Sequence, residues 1–360
     1  MKRDAGNVRM RGKGVTYDTG FFGAGTSTHE PFDPELVRRE MQIIHDDLHC
    51  NLVRITGGDP DRLEMAARHA ADAGLGVWFC PFTNGLTQQE LLDLLANCAE
   101  RAERIRRAGG DVVMFTGSEL MIFTIGFLPG DTLEERLALI ADPIRVRPLI
   151  GEVRTRINAF LERAVDIVRE RFSGPVSYAS LQFEGVDWSR FDIIATDAGY
   201  RTKDTAASFR EQIRAFVAQG RAQKKPVAIT EFGCMTFRGA AERGDGELSL
   251  IEWGDGRPVR VKEALVRDEA EQARYLLELL EVFDSEGVDN VFVYTFARYD
   301  LPHRGDPAED FDLASRGIVK VLEQTTDRDS ERYARMPWQP KLAFKAVADF
   351  YGEAKGSALD

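Results

Sequence analysis

Short apolar runs alternate with longer amphipathic stretches along almost the whole chain. The short runs are rich in β-branched and aromatic residues, a composition typical of buried parallel strands. The longer stretches repeat apolar residues at helical spacing. The predicted strands cover residues 14–18, 51–55, 77–82, 111–119, 176–180, 191–196, 226–231 and 290–296. Eight strand–helix units in a chain of 360 residues predict an α/β fold of the (β/α)8 TIM-barrel type.

Two of the predicted helices carry clear start signals. Asp33 directly before Pro34 is typical of an N-cap followed by a proline in the first turn. Thr87 precedes Glu90 by three residues, which is the spacing of a capping box. Each signal places a helix between two consecutive predicted strands, as the barrel requires.

Two long segments interrupt the alternation, residues 120–148 and residues 234–262. The second is rich in glycine and charged residues, and both are predicted to be loop insertions, after the fourth and the seventh strand. They are expected to border a cleft and to influence substrate choice. Because the chain contains no internal repeat and no low-complexity linker, the sequence predicts one catalytic barrel domain, residues 1–360.

A doubly wound open sheet is the alternative fold. It would place a glycine-rich phosphate-binding loop after an early strand, at the start of a helix. Residues 19–25 are rich in glycine, but Phe21 and Phe22 occupy the position where a phosphate would have to approach. No helix is predicted directly after this loop. We therefore expect it to form a wall of a cleft.

Two predicted strands each end in a glutamate. Glu231 follows the apolar residues 227–229, and Glu119 ends the strand at residues 111–119. A carboxylate at the end of a buried strand is costly unless it faces a polar cavity or a partner. The carboxyl ends of barrel strands are where such cavities lie. The pattern predicts a pair of catalytic carboxylates, and a structural ion pair at the barrel end is the alternative.

Composition and charge narrow the class of protein. The formal net charge of −12 argues against nucleic acid or an anionic membrane as the main partner. No apolar run reaches the length of a transmembrane helix, and no hydrophobic segment follows the first residues, so a cytoplasmic location is expected. The four cysteines lack CxxC spacing and are expected to be buried free thiols. The histidines form no HxH or HExxH pattern, so no metal site is predicted.

Several segments together resemble one known group of enzymes. Residues 229–233, Ile-Thr-Glu-Phe-Gly, are similar to the nucleophile strand of the clan A retaining glycoside hydrolases, the superfamily of β-glucosidases, cellulases and β-glucuronidases. Residues 51–55 resemble the second strand of that group, and residues 117–120 match the place of its acid/base glutamate. Residues 316–319 and 338–344 resemble the segments that lead many of these barrels into the last helix.

The resemblance implies hydrolysis of a glycosidic bond with retention, without a metal or an organic cofactor. The lack of a predicted signal segment suggests a small glycoside or an intracellular metabolite as the substrate. Glu231 would be the nucleophile, Glu119 the acid and then the base, and Arg54 the electrostatic support of the nucleophile. Carboxyl groups about 5 Å apart suit such a double displacement. Arg54 also lies on an apolar strand, where a lone cation is costly, so it is expected to meet a carboxylate.

Two positions depart from the pattern of the group. Ser118 stands where the group usually has an asparagine that binds the sugar, and the predicted eighth strand lacks the usual tryptophan. These differences leave the sugar open. They also favour the alternative function, a carbohydrate- or metabolite-binding barrel that has lost hydrolysis. A metal-dependent isomerase is a third possibility, and the scattered histidines argue against it.

The expected partner is a small carbohydrate or glycoside, with no nucleic acid and no membrane. The candidates for substrate binding are polar or aromatic residues at or just after strand ends: Ser118, Tyr200, Asp197, Trp78, Asn84, Phe296 and Arg298. Aromatic rings stack on the C–H face of a pyranose, although core packing explains them as well. The Tyr200 hydroxyl is placed to bond Glu231 or simply to pack. Asp197 is placed to bind a sugar hydroxyl or to brace Arg54.

Overall fold

The computed structural model describes residues 10–21, 26–243, 247–323 and 333–356. The strands of these residues are β1 (Gly12–Asp18), β2 (Leu52–Gly57), β3 (Gly76–Pro81), β4 (Val112–Ser118), β5 (Val176–Ser180), β6 (Ile194–Thr196), β7 (Val227–Phe232), β8 (Ile251–Gly254), β9 (Arg257–Val261), β10 (Asn290–Val293), β11 (Val319–Val321) and β12 (Trp338–Pro340). Eight of them form a closed parallel barrel in the order β1-β2-β3-β4-β5-β6-β7-β10. The predicted (β/α)8 barrel is confirmed.

Helices connect the barrel strands. They are α1 (Pro34–Asp46), α2 (Pro60–Asp72), α3 (Gln88–Arg107), α4 (Leu120–Phe123), α5 (Leu133–Ile140), α6 (Pro143–Val146), α7 (Ile150–Arg169), α8 (Phe209–Gln223), α9 (Ala240–Arg243), α10 (Glu247–Leu250), α11 (Glu269–Glu286) and α12 (Leu342–Gly356). The predicted capping box before α3 is confirmed: Thr87 accepts from the amide of Glu90, and the Glu90 carboxylate accepts from the amide of Thr87.

The chain divides into two compact units. Unit one consists of Met1–Thr16, Ile43–Leu52 and Gly199–Asp360, and unit two of Tyr17–Gln42 and Val53–Ala198. The core of unit one includes the phenylalanine rings of α8, β7 and α11. The ring of Phe283 on α11 lies 5.0 Å from that of Phe232 on β7 and 6.1 Å from that of Phe209 on α8, between centroids. Burying one such side chain contributes about 2 kcal/mol to stability.

In unit two, α2 and α3 are joined by a charged cluster around Glu64. The Glu64 carboxylate accepts hydrogen bonds from Arg68 on its own helix and from Arg101 and Arg104 on α3. Burial alone would raise the pKa of Glu64, but the three guanidinium groups outweigh it and lower that pKa to about 2. The carboxylate is therefore held in its ionised form.

The segment after β4 is not one long loop, as the sequence had suggested, but is largely helical. It contains α4, α5 and α6. Arg136 of α5 is 1% exposed and fixes this segment by donating to the carbonyls of Ile122 (2.5 Å) and Gly130 (3.1 Å). A buried cation with carbonyl acceptors orders the backbone around it, because those groups cannot turn to water.

The segment after β7 contains a β-hairpin, β8–β9, where the sequence had suggested a loop. Its turn is Asp255-Gly256, with φ angles of 49° and 73°. Positive φ at both central residues is the geometry that Asp-Gly pairs favour in two-residue hairpins. The sequence signal was present, but the charges around it resemble those of an irregular loop.

The four cysteines are buried thiols and none of them forms a disulfide, which confirms the expectation of buried thiols. Burial raises the pKa of Cys98 and Cys234 to about 12, and that of Cys50 further. No helix among the described residues is both long and apolar enough to cross a membrane. Of the glycine-rich loop at residues 19–25, the positions 22–25, and with them Phe22, lie outside the described residues.

Candidate active site

Glu231 lies one residue before the end of β7 and is 8% exposed. The Tyr200 hydroxyl, which follows β6 along the chain, donates to Glu231 Oε2 at 3.2 Å. The guanidinium of Arg316 stacks over the Tyr200 ring, 5.0 Å from its centroid. Arg316 thus packs on the tyrosine whose hydroxyl contacts Glu231. Arg316 was missed as a site residue because it was considered only as part of a resembling segment.

Gly199 explains how the chain passes so close to Glu231. Its amide donates to the Glu231 carbonyl at 3.1 Å. A Cβ on Gly199 would lie 2.4 Å from that same oxygen, well inside contact distance. Only glycine allows this approach without displacing the backbone that carries Glu231 and Tyr200.

A buried polar cluster in unit two joins β2, β4 and the residue after β6. Arg54 forms an ion pair with Asp197, with Nη1 3.2 Å from Oδ1, and both side chains are fully buried. The Ser118 hydroxyl donates to Asp197 Oδ2 at 2.6 Å and accepts from Arg54 Nη2 at 3.2 Å. Arg54 thus meets a carboxylate, as its buried charge requires. Of the two roles expected for Asp197, the structure shows it bracing Arg54, and the Ser118 hydroxyl also donates to it.

Glu119 follows β4 in the left-handed region, with φ 46° and ψ 45°. Few residues other than glycine adopt this conformation, and it costs about 1–3 kcal/mol when the surrounding structure enforces it. The Glu119 amide donates to the Ala179 carbonyl of β5 at 3.0 Å, and the Glu119 carbonyl accepts from Ile122 at 2.9 Å. The side chain is half-buried. Backbone strain of this kind is common at functional sites.

Tyr178 and Glu184 are fully buried, and both contact the residues that follow Glu119. The sequence analysis did not identify either residue. The Tyr178 hydroxyl donates to both Glu184 oxygens at 2.9 Å and accepts from the Leu120 amide at 2.9 Å. Glu184 also accepts from the amides of Met121 (3.0 Å) and Leu181 (2.8 Å). Burial raises the pKa of Glu184 to about 7, although these donors act in the opposite direction.

Four other candidates bond or pack within the protein. Trp78 packs against Phe115 at 5.4 Å, and Phe296 packs edge-on against Trp338 at 5.4 Å. Trp78 is 3% exposed and Phe296 is fully buried, which is typical of core residues. Asn84 accepts from Arg136 at 3.2 Å, and Arg298 pairs with Asp300 at 2.7 Å. Contacts of these four residues with a substrate stay predictions.

Three half-buried phenylalanines form an aromatic cluster in unit two. The ring centroids of Phe21, Phe82 and Phe123 lie 4.9–5.4 Å apart. The three residues follow the carboxyl ends of β1, β3 and β4. Partly exposed rings at such positions are suited to contact the apolar face of a sugar. Their sequence signal was weak, because isolated phenylalanines near strand ends are usually core residues.

Comparison with known proteins gives a fold. No protein-family model and no curated protein matches the sequence. A solved GH113 β-mannanase from Alicyclobacillus acidocaldarius, in complex with ManMIm, is 17% identical, with a TM-score of 0.57 over 96% of this chain and 98% of that one. The chain has the (β/α)8-barrel fold of this enzyme. A second structure, a GH113 β-1,4-mannanase, is 15% identical, with a TM-score of 0.58 over 95% and 99% of the two chains.

The same fold occurs within a longer protein. A β-glucuronidase from Parabacteroides merdae is 15% identical, with a TM-score of 0.55, and the match covers 95% of this chain but 37% of that one. The resemblance to clan A glycoside hydrolases is thus confirmed at the level of the fold. Identities this low carry no assignment of individual residues.

Proposed function

We propose that the protein is a glycoside hydrolase that cleaves a glycosidic bond with retention. The observation that carries the proposal is the placement of two glutamates, Glu119 directly after β4 and Glu231 at the end of β7, in a barrel of this fold. Active sites of (β/α)8 enzymes are built at the carboxyl ends of the strands. The left-handed backbone at Glu119 is a strained geometry of the kind that is common at functional sites.

In the proposed first step, the Glu231 carboxylate attacks the anomeric carbon while Glu119 gives its proton to the leaving oxygen. The bond to the leaving group breaks as an ester to Glu231 forms. In the second step Glu119, now a carboxylate, takes a proton from water, and the water oxygen displaces Glu231 from the sugar. Both glutamates return to their first protonation state, so no cofactor is required.

The remaining residues support these two steps. The Tyr200 hydroxyl donates to the Glu231 carboxylate and so orients it for attack. Arg54 acts through Asp197 and Ser118, the buried cluster that fixes the ends of β4 and β6. Arg54 is therefore proposed as electrostatic and structural support.

The proposed substrate is a small glycoside, and the location expected for the protein stays cytoplasmic. The structures with a similar fold are those of a β-mannanase, a β-1,4-mannanase and a β-glucuronidase. Aryl mannosides and glucuronides are thus the first compounds to screen. The Phe21, Phe82 and Phe123 cluster supports a ligand with an apolar ring face.

Glu119→Ala tests the proposed reaction. An alkyl glycoside should be hydrolysed about 10²–10⁴-fold more slowly, because an alkoxide needs a proton to depart. A dinitrophenyl glycoside should still form the glycosyl-enzyme, since its phenolate departs unaided. The intermediate should then accumulate, and added azide should release it as a glycosyl azide of retained configuration. Glu231→Gln, the matched control, should form no intermediate with either compound.

Two results would contradict the proposal. Equal losses on both glycosides in Glu119→Ala, without azide rescue, would mean that Glu119 only positions the sugar. Binding of sugars by the wild type without turnover of any glycoside would favour the non-catalytic carbohydrate-binding barrel. Isothermal titration with the same sugars distinguishes that outcome from a protein that binds none of them.

A further inference from the structure

The backbone amides of residues 119–121 all donate to acceptors in β5 and the turn that follows it. The amide of Glu119 donates to the Ala179 carbonyl, that of Leu120 to the Tyr178 hydroxyl, and that of Met121 to Glu184 Oε1, at 2.9–3.0 Å. Ala179 and Tyr178 are neighbours on β5, and Glu184 lies in the turn that follows it. The end of β5 and its turn thus hold the backbone at the start of α4 residue by residue.

We infer that Tyr178 and Glu184 are positioning residues that cap α4 in place of Glu119. This inference rests on the proposed function, and it assigns a task to two residues outside the proposed chemistry. They act through the backbone: by holding the amides of Leu120 and Met121, they fix the left-handed turn from which the Glu119 side chain projects.

The reason lies in the ordinary behaviour of helix starts. The first amides of a helix have no intrahelical acceptor, and the side chain of a Ser, Thr, Asp or Asn at the N-cap usually accepts hydrogen bonds from them. Glu119 is the N-cap residue of α4, yet its side chain makes no such bond. The Tyr178 hydroxyl and the Glu184 carboxylate supply the acceptors instead. An acid/base carboxyl group that also served as a cap would have to break those bonds in each cycle.

Burial separates this role from substrate binding. Tyr178 and Glu184 are fully buried, so a bound sugar does not contact them. Their bonds with each other and with the amide of Leu181 complete the hydrogen bonding of the pair. Neither residue is therefore a catalytic residue, and their influence on the reaction must pass through the position of Glu119.

Tyr178→Phe is the variant that tests the inference. It keeps the ring and removes the hydroxyl that joins the Leu120 amide to Glu184. Tyr351→Phe is the matched control, because Tyr351 is also fully buried and donates its hydroxyl to a carbonyl, that of Gly14, at 3.0 Å. Glu184→Gln is a second variant, which keeps the side-chain volume but loses acceptor capacity. All are compared with wild type by thermal melting and kinetics.

Two measurements read out the role. Hydrogen exchange followed by mass spectrometry should be faster in the peptide that covers residues 118–123 in Tyr178→Phe, and unchanged there in Tyr351→Phe. The kcat/KM for an alkyl glycoside should fall more than about tenfold in Tyr178→Phe, because proton donation depends on the placement of Glu119. The kcat/KM for a dinitrophenyl glycoside, which needs no proton, should fall less than about threefold.

The outcomes separate the two proposals. If the wild type is active but Tyr178→Phe loses the same factor on both glycosides, or matches Tyr351→Phe, the positioning role is wrong and the proposed function stands. Unchanged exchange at residues 118–123 in both Tyr178→Phe and Glu184→Gln also overturns the role. If the wild type hydrolyses no glycoside, the proposed function fails and the positioning role fails with it.

Discussion

Arg54 is a fully buried cation whose charge is balanced by Asp197. Arg54→Ala should destabilise the protein by about 3–5 kcal/mol, because it leaves a buried carboxylate without its cation. The double variant Arg54→Met with Asp197→Leu should cost less than the sum of the single variants Arg54→Met and Asp197→Leu, since it removes both charges together. Urea denaturation of the four proteins gives the coupling free energy. Additive losses would mean that the pair contributes no mutual stabilisation.

Gly199 is the residue where a single added methyl group should be most harmful. In Gly199→Ala the new Cβ would press on the Glu231 carbonyl, and we expect a loss of about 1–3 kcal/mol of stability together with reduced activity. Gly151→Ala is the matched control: nothing lies within 4 Å of its Cβ position in α7, so it should stabilise by about 0.5–1 kcal/mol. Similar losses in both variants would argue against the close approach at Gly199.

At the same scale, the sequence revealed some site residues and concealed others for a physical reason. Glu231 and Glu119 were found because a charge at the end of an apolar strand is conspicuous in the sequence. Glu184 was not, because it lies in a short turn whose composition resembles a solvated loop. Its complete burial depends on which segments pack around it, and that information is not local.

The pair of helices α2 and α3 depends on one ionised side chain, Glu64. Because the folded pKa of about 2 lies below the usual 4.5, its stabilising effect is present above pH 4.5 and is lost as the pH falls towards 2. Glu64→Gln should lower the free energy of unfolding by about 2 kcal/mol at pH 7, after allowance for solvent screening. Glu134→Gln, on the exposed face of α5, is the control and should change it by less than about 0.5 kcal/mol.

Helices and strands were predictable from the sequence where the regular spacing of apolar residues coincided with a capping signal. The capping box at Thr87 and Glu90 located α3, because both bonds are local. The insertions were harder. The helix α5 also begins with a capping box, at Thr132 and Glu135, but it is short and only weakly amphipathic, so the contact of its buried Arg136 with the Ile122 carbonyl decides its conformation.

For the whole molecule, groups with opposite pKa shifts set the dependence of stability on pH. Glu184 has a folded pKa raised to about 7, so the folded state holds its proton more tightly and stability should fall as the pH rises from 4.5 to 7. Glu64 and Glu103, both lowered to about 2, make stability fall below pH 4.5. The free energy of unfolding should therefore be greatest near pH 4.5–5.

Melting temperatures measured from pH 3 to pH 8 test this profile. The wild type should lose stability on both sides of the maximum, and Glu184→Gln should flatten the decline between pH 5 and pH 7, because it removes the titrating group. A wild-type curve that rises steadily to pH 7 would contradict the raised pKa of Glu184. The barrel itself was predictable because eight strands repeat one pattern; the balance of buried charges was not, since it depends on contacts between distant segments.

Because all four thiols are buried, their reaction with a thiol reagent reports local unfolding of the protein. A thiol reagent attacks the thiolate. Burial shields all four thiols from contact, and it also raises the pKa of Cys50, Cys98 and Cys234, which suppresses their thiolate form. Labelling should consequently be slow in the native state, and its rate should follow the opening of the segment that holds each cysteine. Cys50 and Cys234 lie in unit one, and Cys80 and Cys98 lie in unit two. The order in which the four are labelled would therefore show which unit unfolds first.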